Sequence, residues 1–147
     1  MKRIFLLVSA SLIIANLAAC AGNAPAPTAP GGVGVVIQTD GGTFTNITAQ
    51  ELNAMLQHKD FTLINTHIPY EGEIEPTDAF VPYDALDENL GKLPADKNAK
   101  IVLYCRSDRM STIAAQALVK KGYTNLYNLK GGMVAWANAG LPIAIKE

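Results

Sequence analysis

Three features of the sequence predict an α/β domain with a mainly parallel sheet. Short apolar runs, such as residues 101–104, alternate along the chain with segments of helical periodicity. These runs are continuous, which is typical of strands that are buried on both faces in parallel sheets. Hydrophobic residues make up 49% and charged residues 17% of the 147 residues, a composition that suits one globular domain.

The first 19 residues are predicted to be a secretory signal peptide. Lys2 and Arg3 provide a basic start, an apolar run follows at residues 4–15, and small residues precede Cys20. The apolar run is shorter than the roughly 20 residues that span a bilayer, which argues against a permanent membrane helix. The chain is therefore expected to be exported.

Residues 17–20, Leu-Ala-Ala-Cys, resemble a bacterial lipobox. In such signals the cysteine is lipidated and becomes the new N-terminus. The resemblance implies a membrane-anchored lipoprotein, held through Cys20 and facing the periplasm or the cell exterior. By analogy with enterobacterial sorting, Ala21 in place of an acidic residue weakly favours the outer membrane. A plain signal peptide, cut after Ala19 or Ala21 and carrying no lipid, is the alternative.

Residues 20–42 are predicted to be the lipidated N-terminus and a flexible linker, and residues 43–147 to be the folded domain. Alanine, proline and glycine dominate residues 21–34, which carry no charge and cannot bury a core. The domain itself is expected to begin between Val35 and Phe44.

A capping box marks the start of the first helix. Thr48 caps the helix, and Glu51 can reach back to the Thr48 backbone. Leu52, Met55 and Leu56 then form one apolar stripe.

The remaining predicted elements are a strand at 61–64, a mostly irregular excursion at 66–100 with a short helix near 86–90, a strand at 101–104, a helix at 111–121 that Gly122 ends, a strand at 125–129, and a last helix between Gly132 and Gly140.

Cys105, which follows the strand at 101–104, is the candidate reactive residue. A thiol between a strand and a helix faces backbone N–H groups and the positive end of the helix dipole, and both favour the nucleophilic thiolate. Arg106 and Arg109 add positive charge that attracts an anionic substrate. The predicted substrate-binding loop consists of Arg106, Ser107, Asp108, Arg109, Met110 and Ser111. The alternative is a lone buried cysteine that fills space.

This loop resembles the active-site loop of rhodanese-like sulfurtransferases. The usual pattern in that family is Cys-Arg-Ser-Gly, two variable residues and Ser, and four positions match it: Cys105, Arg106, Ser107 and Ser111. Residues 128–136 and 139–142 are similar to the family's C-terminal Gly-Gly, Trp and Gly-x-Pro signature. The resemblance implies a rhodanese-like α/β fold with a mainly parallel five-stranded sheet and helices on both faces.

Three departures from the family pattern leave the substrate open. Asp108 stands where the family commonly has Gly. The early Asp-x-Arg motif is here residues 65–67, Asn-Thr-His, and Gly-His-Ile-Pro is at best residues 72–76. We interpret His67 as the replacement for a structural arginine, with an acid/base role as the alternative.

The resemblance implies an enzyme that works by covalent catalysis. Cys105 takes a sulfane sulfur from thiosulfate or a related small anionic donor as a persulfide, and a thiol or cyanide then accepts it. A catalytically weak binding or sulfur-carrier module on the membrane surface is the alternative. A phosphatase is disfavoured, because its Cys-x5-Arg loop requires an arginine where this chain has Ser111.

Charge and metal-ligand counts exclude other classes. The formal net charge is -1, so the chain lacks the basic surplus that is typical of nucleic-acid binding. Cys20 and Cys105 are the only cysteines, and His58 and His67 are isolated in the sequence. No metal site and no cofactor are therefore expected, and the sequence indicates no particular protein partner.

Overall fold

The computed structural model describes residues 32–146. Its elements in chain order are β1 (Val35–Thr39), β2 (Gly42–Ile47), α1 (Ala49–Leu56), β3 (Thr62–Asn65), β4 (Ala79–Phe80), a 3₁₀ helix (Asp87–Lys92), β5 (Ile101–Tyr104), α2 (Arg109–Lys120), β6 (Leu126–Leu129) and α3 (Gly132–Asn138). The predicted signal peptide and Cys20 lie outside the described residues. Among the described helices, none has the length and apolar character needed to cross a membrane.

A mixed sheet forms the centre of the fold, in the order β1-β2-β6-β5-β3-β4. Only β1 and β2 are antiparallel, and all the other neighbouring strands run parallel. The predicted α/β fold with a mainly parallel sheet is therefore confirmed, but the sheet has six strands instead of the expected five. β5 lies between β6 and β3, which places the strand before Cys105 in the interior of the sheet.

The hairpin of β1 and β2 begins at Val35, the first position at which the domain was expected to start, and so occupies part of the segment 20–42 that was predicted as linker. β1 pairs with β2 from Val35, opposite Asn46, onward, so residues 35–42 belong to the sheet and not to the linker. A two-residue turn containing Gly41 joins the strands, and its φ of +92° suits glycine. Val35 and Val36 remain exposed, because β1 is held by backbone pairing more than by burial. β1 therefore lacks the buried apolar run on which the prediction of the other strands depended.

Helices cover both faces of the sheet, as predicted. On one face α1 and α3 pack on the sheet, and the core there includes Ile47, Leu52, Leu63, Val102, Tyr104, Leu129, Met133 and Trp136. On the other face α2 and the segment around the 3₁₀ helix enclose a core that includes Ile64, Leu86, Leu93, Ile101, Leu103, Ala114, Ala115 and Leu118. Side chains of β5 alternate between the two cores, so all four of its positions are buried. Burial of one large apolar side chain contributes about 1.5–3 kcal/mol.

The start of α1 matches the predicted capping box. Thr48 Oγ1 accepts from Glu51 N at 3.2 Å, and the Glu51 carboxylate accepts from Thr48 N at 2.7 Å. α2 begins two residues earlier than predicted, at Arg109, because the carbonyl of Asp108 already accepts from Thr112 N. The loop after Cys105 is correspondingly short.

The segment at 66–100 is largely irregular, as predicted, and includes the 3₁₀ helix near the expected position. It also contains β4, which was not predicted. The buried Tyr104 hydroxyl anchors this segment, since it accepts from Ile74 N at 3.0 Å and shares a hydrogen bond with Thr77 Oγ1 at 2.6 Å. Desolvation raises the pKa of Tyr104 well above the ordinary tyrosine value.

Candidate active site

Cys105 lies directly beyond the C-terminal end of β5, at the edge where open parallel sheets place their ligand sites. Its side chain is buried and carries a free thiol. Sγ accepts a hydrogen bond from Asp108 N at 3.1 Å and another from Ser111 Oγ at 3.4 Å. Both donors belong to the predicted loop: Asp108 directly precedes α2, and Ser111 lies in its first turn. Hydrogen bonds and a helix N-terminus directed at the sulfur stabilise negative charge there.

Asp108 adopts a backbone conformation that few residues other than glycine tolerate. Its φ is +102°, the one positive φ among the described residues that are not glycine. This conformation directs the Asp108 N–H at Sγ and explains why glycine suits the position. The Asp108 carboxylate accepts from the Asn128 side-chain amide of β6 at 2.8 Å. The same amide also donates to Asn46 Oδ1 of β2 at 2.8 Å, so a polar chain of three residues ties the loop to two strands.

The N-terminus of α3 fixes the first two peptide groups of the loop. Met133 N donates to Cys105 O and Val134 N donates to Arg106 O, each at 2.9 Å. Gly132 makes this approach possible, since a Cβ there would lie only 2.2 Å from Cys105 O. Because peptide groups are planar and trans, the N–H groups opposite these carbonyls point away from α3.

The two predicted arginines of the loop differ in their contacts. Arg106 Nε lies 3.1 Å from Glu71 Oε2, and this arginine side chain is 60% exposed. Arg109, the first residue of α2, is exposed and forms no ion pair within residues 32–146. Ser107 is also exposed and makes no side-chain hydrogen bond to any described residue. Arg109 is thus the loop cation that remains available to an anion.

Two residues beyond β3 also contact the loop. His67 is buried, and its Nδ1 lies 3.3 Å from Met110 Sδ. Its Nε2 lies 3.5 Å from Glu71 Oε2, an ion-pair separation without a hydrogen bond. The structure therefore places His67 against the predicted loop. Glu71 was missed as a site residue, because it lies in an irregular segment where sequence spacing does not predict contacts.

The described residues contain no group of three or more His, Cys, Asp or Glu side chains that could hold a metal ion. The hydrogen bonds to Sγ support the chemistry of a thiol nucleophile. A sulfur nucleophile with two hydrogen-bond donors at the end of a buried strand can attack an electrophilic atom and carry the resulting charge.

Comparisons with known proteins agree with this geometry. The family model described as rhodanese-like domain matches residues 48–139. A sulfurtransferase of Allochromatium vinosum is 35% identical over 92 residues, which are 60% of this chain and 83% of that protein. The thiosulfate sulfurtransferase GlpE of Glaesserella parasuis is 29% identical over 106 residues, covering 70% of this chain and 95% of that protein. The crystal structure of a rhodanese-like domain protein from Staphylococcus aureus superposes with a TM-score of 0.58 at 25% identity, covering 69% of this chain and 98% of that one.

Proposed function

Because the chain belongs to the family of rhodanese-like domains, we propose that it moves a sulfane sulfur from thiosulfate or a related donor to a thiol through a persulfide on Cys105. The observation that supports this most directly is the free thiol at the end of β5, whose Sγ accepts hydrogen bonds from the loop. Relatives named as sulfurtransferases, among them a thiosulfate sulfurtransferase, support the reaction class.

The first half-reaction forms the persulfide. The Cys105 thiolate attacks the outer sulfur of thiosulfate, the S–S bond of the donor breaks, and sulfite leaves with the bonding electron pair. The product is a Cys105 persulfide anion, so the total charge is conserved. The terminal sulfur of that anion needs hydrogen-bond donors, and the loop N–H groups that point away from α3 are positioned to supply them.

The second half-reaction returns the thiolate. An acceptor thiolate attacks the terminal sulfur, the S–S bond to Cys105 breaks, and the electron pair stays on Sγ. In an assay, cyanide takes the same place and leaves as thiocyanate. Asp108 N and Ser111 Oγ donate to Sγ when it carries charge, and they thereby favour its role as leaving group as well as nucleophile.

A sulfur-carrier or binding module is the second candidate. Cys105 is only 1% exposed, which favours a role in which a partner protein that opens the loop exchanges the sulfur, because a free donor or acceptor has little access to Sγ. In that role the persulfide forms, but it is released only to a partner that opens access to the loop.

Mass spectrometry after treatment with thiosulfate and with a polysulfide tests the proposal. We expect one added sulfur atom, localised to Cys105, and none in the Cys105→Ser variant. Turnover to thiocyanate with cyanide distinguishes the enzyme from the carrier. If Cys105 gains no sulfur from either donor, the transfer function is wrong.

We also propose that the protein is an exported lipoprotein, anchored in the membrane through Cys20 and facing the periplasm or the cell exterior. The support is the Leu-Ala-Ala-Cys segment after a basic and apolar start. We expect Cys20→Ser to move the protein from the membrane to the soluble fraction of the native host. An unsubstituted protein that fractionates as soluble, with unmodified Cys20, would contradict this.

A further inference from the structure

A single carboxylate connects the two ends of the loop that holds Cys105. Glu71 Oε2 lies 3.1 Å from Arg106 Nε, in an ion pair, and 3.5 Å from His67 Nε2. On the other side of its ring, His67 contacts Met110 Sδ at 3.3 Å. Arg106 and Met110 are the first and fifth residues after Cys105, so the Glu71–His67 pair contacts both ends of the loop.

Glu71 forms an ion pair with Arg106, the cationic residue that directly follows Cys105 in the sequence. The side chains of Arg106 and Glu71 are 60% and 41% exposed, so their ion pair is open to solvent and to a competing anion. A doubly charged donor that approaches Arg106 must displace Glu71, and it also meets the negative charge of that carboxylate. An uncharged donor neither displaces Glu71 nor is repelled by its carboxylate.

We infer that Glu71 determines donor specificity through Arg106, by weakening recognition of small dianions and tuning the site to donors of low charge such as organic persulfides. This inference depends on the proposed sulfurtransferase function. With an organic persulfide, the Cys105 thiolate attacks the terminal sulfur, the donor S–S bond breaks, and the electron pair leaves on the organic thiolate. One S–S bond forms and one breaks, so no oxidant or reductant is required.

The test compares two donors in single-turnover experiments on the full chain: thiosulfate, which is a dianion, and an alkyl persulfide with no other ionisable group, which carries at most one negative charge. Persulfide on Cys105 is quantified by mass spectrometry as a function of donor concentration. In Glu71→Gln we expect the half-saturating concentration of thiosulfate to fall by up to about fivefold, the scale of an exposed ion pair. The half-saturating concentration of the alkyl persulfide should change clearly less than that of thiosulfate, because its charge is smaller.

Glu88→Gln is the matched control. It removes the same charge from an exposed position of the 3₁₀ helix, beside Lys121 at the far end of α2. Glu88 is separated from the loop by the length of α2, whose 12 residues span about 18 Å. This control should leave both donors unaffected. Adding Arg106→Gln to Glu71→Gln should cancel the gain with thiosulfate, because the released guanidinium is its source.

The outcomes separate this inference from the proposed function. Without persulfide on Cys105 from either donor, in wild type or variant, the proposed function itself fails. With sulfur transfer intact, an unchanged or raised half-saturation for thiosulfate in Glu71→Gln overturns the inference, as does an equal change for both donors. Glu71→Ala gives a second measurement, since the position is partly exposed and tolerates truncation.

Discussion

Substitution of Gly132 by alanine tests whether α3 holds the reactive loop in place. The new Cβ would lie 2.2 Å from Cys105 O and 2.7 Å from Arg106 O, whereas ordinary contacts begin at 3.4 Å. The two backbones must therefore separate by about 1 Å, and the hydrogen bonds from Met133 N and Val134 N must lengthen or break.

The expected cost of Gly132→Ala follows from these contacts. Each lost hydrogen bond is worth about 0.5–1.5 kcal/mol net. Alanine at the φ of +55° adds about 1–2 kcal/mol. We therefore expect the free energy of unfolding, measured by urea denaturation, to fall by about 2–5 kcal/mol. A loop displaced by about 1 Å should also slow persulfide formation on Cys105 by about 100-fold, measured in a single turnover.

Gly140→Ala is the matched control, because it separates backbone strain from collision with the loop. Gly140 ends the same helix with a φ of +77°, but a Cβ there meets no atom within 4 Å. It should cost only about 1–2 kcal/mol and leave the rate of persulfide formation unchanged. If Gly132→Ala destabilises the protein no more than Gly140→Ala and reacts at the wild-type rate, the argument that α3 positions the loop is wrong.

Three further predictions concern polar groups whose partners are known. Tyr104→Phe should lower the free energy of unfolding by about 1–3 kcal/mol in urea denaturation, because the buried Ile74 N–H loses its acceptor. Since burial raises the Tyr104 pKa, wild-type stability should decline as pH rises above about 10, and an equal decline in Tyr104→Phe would contradict this. The Thr48 backbone hydrogen bond is the largest cause that lowers the Glu51 pKa, so stability present above the ordinary value of 4.5 should be lost on acidification. Glu51→Gln should flatten that part of the pH–stability curve, and an unchanged curve would count against the linkage. Asp108→Gly should speed persulfide formation with thiosulfate, because a carboxylate near the donor is lost, and a slower reaction would contradict this. The free energy of unfolding should change by less than about 1 kcal/mol, because relief of backbone strain offsets the lost hydrogen bond to Asn128.

Features encoded within a few consecutive residues could be predicted from the sequence. The capping box needs only Thr48 and Glu51, and both of its hydrogen bonds form. The apolar run of β5 predicted a buried strand, and the place of Cys105 after it put the thiol at the C-terminal edge of the sheet. Each of these inferences depends on local periodicity or spacing, which do not require knowledge of the strand order.

Contacts between distant segments could not be predicted in the same way. Glu71 meets Arg106 because β3 lies beside β5, an adjacency that the sequence alone does not specify. Gly132 was expected at the start of the last helix, but its contact with Cys105 O depends on how α3 docks on the loop. The positive φ of Asp108 and its hydrogen bond to Asn128 of β6 were likewise not predicted, whereas its departure from the family's glycine was visible in the sequence.

The antiparallel direction of β1 determines the side of the domain on which the preceding chain emerges. Val35, the first residue of β1, lies opposite Asn46, which pairs with Asn128 in β6, and Asn128 pairs with Leu103 in β5. These four residues form one row across the sheet, two positions before Cys105. The chain therefore leaves the domain at the same edge as the reactive sulfur, three strand spacings or about 14 Å away. With Cys20 lipidated as proposed, the linker would join the domain on the same side as Cys105.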